Sequence, residues 1–318
     1  MLQQTRVETA IPFYCRFLER FPRIEDLAGA DLDEVLTLWS GLGYYRRARS
    51  LHEGAKIVLE RHGGRFPLAV EEALEVPGVG PYTAGAILSI AHNLPEPVVD
   101  GNVERVLTRL FQISGNPKTG PIAKMLRGIA RESIPKGRAA DFNQALMELG
   151  ATVCTALQPG CGKCPLAAIC LAREHSVVDR YPTPAPRPVT VNVSLHAAVV
   201  RNQDEYLIER VTQGPCLRGL WLFPLARGEA EANKPSVSLL ERLRQCLGVS
   251  PRFTGPLGRV RHSITFRRIQ IEIFCFELRG SKGKSSSEHL KWARLDLLGK
   301  SVPVSSVALK MARLLEVR

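Results

Sequence analysis

No run of apolar residues in this 318-residue chain approaches the roughly 20 that a membrane-crossing helix needs, which excludes a helical membrane protein. The chain does not open on a basic stretch followed by an apolar one, the pattern of an exported protein. The expected setting is therefore the reducing cytoplasm, at the nucleoid if the source is bacterial. No internal repeat is found. Acidic residues are in short supply, 31 Asp and Glu against 43 Lys and Arg, for a net charge of +12. The shortfall is concentrated in residues 191–318, with 11 acids against 21 bases; residues 1–190 are nearly balanced at 20 against 22. Such an excess permits a polyanionic partner without identifying it. A disulfide framework is also missing: Cys15, Cys216, Cys246 and Cys275 are scattered through apolar stretches, as buried free thiols are.

The other four cysteines are grouped. Cys154, Cys161, Cys164 and Cys170 follow the spacing C-x6-C-x2-C-x5-C, four thiols within 17 residues. That arrangement reads as the ligand set of a single metal centre, and either one tetrahedral zinc or one iron–sulfur cube satisfies it.

Upstream, apolar residues recur at three- and four-residue spacing over 7–17, 32–38, 46–61, 70–74, 83–92, 103–112, 122–133 and 139–149, which predicts an all-α first domain over residues 1–175. Turn signals separate the helices, among them Pro77-Gly78, the Pro95-Glu96-Pro97 triplet and Pro135-Lys136-Gly137. Residues 176–190 form a linker whose 181–188 stretch (YPTPAPRP) is stiff and extended. From 191 to 318 the pattern changes to strands, at 191–200, 205–210 and 267–278, with helices at 238–247 and 305–315, giving an α+β second domain. Residues 282–287 (KGKSSS) read as a flexible loop.

Two motifs carry chemistry. Residues 74–86 (LEVPGVGPYTAGA) run helix, tight turn, helix: Gly78 and Gly80 let the backbone approach another surface, and Pro81 suits the first turn of the following helix. Free N–H groups there suit an anion such as a DNA phosphate, although a plain structural turn reads the same way. Further on, Asp100 in VDGNV can serve as a helix cap or as a functional carboxylate.

These segments together resemble the helix–hairpin–helix DNA glycosylases that carry a [4Fe–4S] cluster, and among them the MutY-type adenine DNA glycosylases. The resemblance rests on residues 1–7 (MLQQTRV), 39–45 (WSGLGYY), 77–83 (PGVGPYT), 99–103 (VDGNV), 142–150 (FNQALMELG) and the cysteine quartet. It implies a multidomain α plus α+β protein, a helix–hairpin–helix glycosylase domain with a cluster loop followed by a Nudix-like domain. It also implies that the cysteines hold iron and sulfur rather than zinc. The implied activity is hydrolysis of the N-glycosidic bond of adenine mispaired with 8-oxoguanine or guanine in duplex DNA, by a monomer.

On that resemblance Asp100 stabilises the oxocarbenium-like transition state, Asn102 orients it, and Tyr82 aligns sugar and carboxylate. Endonuclease III-type relatives carry a nucleophilic lysine where this chain has Tyr82; a tyrosine cannot form the Schiff base of a lyase. The family's general acid is a Glu two residues before the MLQQT segment, and this sequence starts at that Met. The chain as written is therefore expected to be impaired, by about 10²–10⁴ in rate for loss of a proton donor. Two rivals stand beside the glycosylase: a non-catalytic lesion-binding protein and an endonuclease III-like lyase.

The resemblance further assigns Gln4, Thr5, Leu42 and Tyr44 to the oxidised guanine, Leu2 and Gln144 to the adenine pocket, and Arg47, Gly78, Gly80 and Thr83 to the DNA. In the Nudix-like part the best match is residues 219–224 (GLWLFP), but the helix that would hold magnesium has one acid, Glu241, which disfavours pyrophosphate hydrolysis. Residues 261–266 (RHSITF) fall at the family's Phe-Ser-His lesion-reading loop; Thr265 keeps a hydroxyl and Phe266 replaces the histidine.

Overall fold

The computed structural model of the protein describes residues 1–3, 5–183, 189–212, 218–280 and 289–316. The expectations for Gln4, for Cys216, for the 282–287 loop and for most of the prolines of the linker lie outside the described residues. The chain folds as two compact units, Met1–Leu59 with Pro188–Arg318, and Glu60–Arg187. This division does not follow the boundary expected at residue 175.

The N-terminal helices of the first unit are α1 (Val7–Arg20), α2 (Ile24–Gly29), α3 (Leu32–Leu38) and α4 (Arg46–His62), the last running on into the second unit. Asp31 caps α3, its carboxylate accepting from the Asp33 amide at 2.7 Å. Phe17 and Phe21 meet edge-on at 5.0 Å, Phe17 and Trp39 at 5.9 Å, over a core that includes Val35, Leu36 and Ala48. Leu220, from the C-terminal part of the same unit, is buried in that core.

The second unit holds α5 (Val70–Glu75), α6 (Pro81–Ala86), α7 (Gly101–Leu110), α8 (Gly120–Glu132), α9 (Ala139–Thr152) and α10 (Leu171–Glu174). Val103, Val106 and Leu107 of α7 pack on Leu126 and Ala130 of α8 and Leu146 of α9. Helix α9 comes so close to α7 that a Cβ on Gly150 would sit 2.7 Å from the Asn102 Cβ.

The C-terminal part of the first unit is a sheet of β1 (Val191–Asn202), β2 (Glu205–Arg210), β3 (Trp221–Leu222), β4 (Leu225–Arg227), β5 (Arg252–Ile264), β6 (Arg267–Glu277) and β7 (Leu290–Ala293), with helices α11 (Val237–Leu247) and α12 (Ser306–Glu316). The order is β3-β2-β1-β6-β5, with β4 paired to β1 and β7 to β2. Strands β1 and β6 are parallel, in register from Val191↔Arg267 to Arg201↔Glu277. Ala197 and Val199 share a core with Val307 and Met311 of α12, while Ala198 and Val200 share one with Leu239 and Leu243 of α11. Burial on both faces explains why residues 197–200 of β1 (AAVV) are apolar without alternation, unlike 191–196, where polar residues alternate.

Strand β5 was not legible as a strand because Gly255, Pro256 and Gly258 interrupt it. The pairing with β6 shifts register at Phe253/Gly255 and again at Pro256/Gly258. The expected 261–266 loop is correspondingly shorter. Pairing continues to Ile264↔Arg267, so only Thr265 and Phe266 form the turn, with Thr265 at φ 54°. Among the described residues no helix is long and apolar enough to cross a membrane.

Candidate active site

In the second unit the turn between α5 and α6 closes with the Val79 amide donating to the Val76 carbonyl at 3.0 Å. Gly78 takes φ 82°, a conformation that favours glycine. Gly80 is the N-cap of α6 with Pro81 at the first helical position, as the sequence suggests. A Cβ on Gly80 would meet nothing within 4 Å, so no neighbour within the fold forces glycine there. Gly85, one turn on, is constrained from inside: a Cβ would lie 2.3 Å from the Pro97 carbonyl oxygen. That contact seats α6 directly against the segment leading to Asp100. Thr83 is half-buried in the same helix.

Asp100 is the N-cap of α7. One carboxylate oxygen accepts from the Asn102 amide at 2.9 Å and the Val103 amide at 2.8 Å; the other accepts from the Asn102 side-chain Nδ2 at 3.1 Å. The capping reading and the oriented-carboxylate reading thus describe one geometry. Tyr82 is 38% exposed, and its phenol is raised above the ordinary tyrosine range by burial first and by the nearby Asp100 charge second. Its hydroxyl points at the Met147 sulfur, 4.0 Å away. Glu104, one turn along α7, is likewise raised, by burial and by Asp100, against a lowering from Lys118. Gln144 is exposed on α9, its amide returned to the Ala140 carbonyl at 3.1 Å.

The sequence pattern missed the side chains that tie this carboxylate to its scaffold. Arg105 donates to the Asn102 Oδ1 at 2.9 Å, the Gly150 carbonyl at 2.6 Å and the Cys154 carbonyl at 2.7 Å. Arg109, 2% exposed, donates to the Cys154 sulfur at 3.3 Å and the Thr155 carbonyl at 2.7 Å. Asn143 is fully buried; its Oδ1 accepts from the Val98 amide at 3.1 Å and its Nδ2 donates to the Glu96 carbonyl at 2.8 Å. A charged residue in mid-helix ordinarily reads as a solvated face, so only the four-residue step from Arg105 to Arg109 hinted at a shared partner.

Cys154, Cys161, Cys164 and Cys170 are all free thiols and line one cavity with Arg109 and Leu166. The Cys161 thiol is raised by burial and by the other three cysteines, which marks the four as mutual neighbours. Among the described residues no three His, Cys, Asp or Glu side chains converge tightly enough to hold a single ion. Four thiols lining one cavity are a donor set that suits a single metal centre, zinc or iron–sulfur.

In the first unit the lesion-reading candidates separate. Tyr44 is 51% exposed, in the left-handed region at φ 51°, on a loop that also uses Gly41 and Gly43 at positive φ. Leu2 is exposed and Thr5 half-buried. Leu42 points inward: it is 7% exposed and packs in the helical core, so the loop presents Tyr44 and not Leu42. Arg47 is engaged within the fold instead of being held out for a phosphate. It donates to the carbonyls of Met1 at 2.8 Å and Gly43 at 3.3 Å and to the Thr5 hydroxyl at 3.2 Å, lying over the Trp39 and Tyr44 rings. Thr265 is exposed at the β5–β6 turn, where Arg267 lies 4.6 Å over the Phe266 ring.

Comparison with known proteins places residues 1–132 in the HhH-GPD superfamily of base excision DNA repair proteins and residues 196–313 in the NUDIX domain family. The chain is similar to the human adenine DNA glycosylase, 34% identical over 88% of this chain and 60% of the human one. It is similar to the adenine DNA glycosylase of Buchnera aphidicola from Acyrthosiphon pisum, 36% identical over 73% of this chain and 66% of the relative. It thus spans about 60–66% of the length of these relatives. Among solved structures, a thermostable thymine-DNA glycosylase superposes with TM-score 0.50 at 30% identity, covering 55% of this chain and 80% of that one.

Proposed function

We propose that this chain, which belongs to the MutY-type family of HhH-GPD base-excision repair proteins, is an adenine DNA glycosylase acting on adenine opposite 8-oxoguanine or guanine. The observation that carries the reading is the Asp100 carboxylate, fixed by three donors, near a turn where a Cβ on Gly80 would meet nothing within 4 Å.

The adenine nucleotide leaves the stack at a cost of a few kcal/mol. Its N-glycosidic bond breaks, the electron pair departs with the base, and positive charge develops on the sugar. Asp100 stabilises that charge through a carboxylate already oriented, so no reorganisation is needed at the moment of reaction. Water then adds at the anomeric carbon and its proton passes to the departed base, giving neutral adenine and an abasic site in an intact strand. Asn102 holds the carboxylate. Tyr82, kept protonated by burial and by Asp100, offers a neutral hydroxyl and no amine. On this reading Gly78, Gly80 and Thr83 would receive backbone phosphates, Leu2 and Gln144 would contact the adenine, and Thr5, Tyr44 and Thr265 would contact the oxidised base.

Cys154, Cys161, Cys164 and Cys170 are the residues that would hold a [4Fe–4S] cluster, with Arg109 supplying a charged donor to the first sulfur. When bound, the cluster supplies a rigid, electron-rich anchor for the loop beside α7. The protein is proposed to work as a monomer on chromosomal DNA in the cytoplasm. The test is product analysis on an A:8-oxoguanine duplex: free adenine, a strand that breaks only on alkali treatment, and no borohydride-trapped adduct. A trapped adduct would replace this reading with a lyase.

A further inference from the structure

Tyr44 stands on a loop built from left-handed backbone positions. Gly41 and Gly43 take φ 98° and 79°, and Tyr44 itself occupies the left-handed region. The neighbouring Tyr45 is the opposite kind of residue, 5% exposed in the helical core. Its hydroxyl accepts from the Gly41 amide at 3.1 Å and donates to the Val304 carbonyl at 3.0 Å. Ser40 donates to the same carbonyl at 3.1 Å. Val304 is a firm anchor: it is fully buried and bridges to Trp221, whose amide donates to the Pro303 carbonyl at 2.9 Å. The adjacent Ser305 caps α12. One hydroxyl therefore joins the start of the loop to the C-terminal sheet, within a single compact unit. A phenylalanine would fill the same core volume, so packing alone does not account for the hydroxyl.

Resting on the function proposed above, we infer that Tyr45 is a positioning residue for mispair discrimination, through which the C-terminal module sets the pose of Tyr44. The module then contributes to selectivity in two ways, by its own turn at Thr265 and by clasping a loop that belongs to the N-terminal helices. Arg47 holds the other side of the loop through the Gly43 carbonyl, so the clasp at Tyr45 fixes the side that Arg47 leaves free.

The test uses the full chain and duplexes with 2′-fluoro-adenosine, which resists cleavage, opposite 8-oxoguanine or opposite thymine, read by fluorescence anisotropy. Tyr45→Phe should lower the preference for the lesion duplex about fivefold, as loss of one net hydrogen bond does. Affinity for the paired duplex should stay within about twofold, which a general loss of folded protein would not allow. Ser40→Ala should move the same ratio less. The double variant Tyr44→Ala/Tyr45→Phe should be no less selective than Tyr44→Ala alone, because Tyr45 acts through Tyr44. An unchanged preference in Tyr45→Phe, or losses that multiply in the double variant, would overturn the inference while leaving the glycosylase reading intact. A wild-type chain without lesion preference would overturn both.

Discussion

Arg105 donates through Nε to the carbonyl oxygen of Cys154 at 2.7 Å, and through Nη2 to Asn102 at 2.9 Å. Asn102 in turn holds Asp100. The carboxylate and the first cysteine of the quartet are thus two ends of one guanidinium's hydrogen bonds. Arg105→Gln should lose most of them, at about 1.5–3 kcal/mol for a charge-assisted contact. Urea unfolding and iron content should both report it, with a lower midpoint and less iron per chain. An unchanged midpoint would mean that the bonds are not formed in solution.

Asp100 serves as a cap as well as a carboxylate, and two substitutions separate the roles. Asp100→Asn keeps a good capping residue, and its unfolding midpoint should match the wild type. Asp100→Ala removes the cap and should destabilise the protein by about 1 kcal/mol. Equal destabilisation by both would place the carboxylate's charge, and not its capping geometry, at the centre of α7 stability.

Gly150 is required by contact and not by φ. Its missing Cβ would fall 2.7 Å from the Asn102 Cβ and 2.8 Å from the Asn102 carbonyl oxygen. Gly150→Ala should push Asn102 off Asp100 and destabilise the second unit by about 1–3 kcal/mol, the range for overpacking. Thermal unfolding checks the stability, and adenine release should fall with it.

Burial raises the Tyr45 phenol, and burial with the Asp100 charge raises Tyr82. An unfolded tyrosine ionises near pH 10. The folded protein therefore keeps protons that the unfolded chain gives up, so this contribution to stability is whole below that pH and is lost as pH rises through the raised folded values. Melting temperatures across the alkaline range should decline, and Tyr45→Phe should flatten the decline while lowering the starting value.

Much of this was legible in the residues. The helix–turn–helix, the Asp100 cap and the strands β1 and β6 each carry a local signal: a Pro at the first helical position, an Asp before Gly, β-branched residues up to a polar turn in β1 and an alternation in β6. Strand β5 carried none, because its glycines, proline and basic side chains erase the alternation that marks a strand. Leu42 and Arg47 were assigned by their place in a motif, but burial is decided by what packs above them. Leu42 turns into the core, and the Arg47 guanidinium is taken up by the Met1 and Gly43 carbonyls. The hydrogen bonds of Arg105 and the joining of residues 1–59 to the C-terminal sheet are long-range facts, and periodicity has no access to them.

The most direct test of the central claim is single-turnover release of adenine from an A:8-oxoguanine duplex, run beside Asp100→Asn and a lesion-free duplex. The account predicts slow adenine release from the lesion duplex alone, release that stops in Asp100→Asn, and lesion binding that survives the substitution. Release that continues undiminished in Asp100→Asn, or a chain that neither binds the mispair selectively nor frees its adenine, would contradict it.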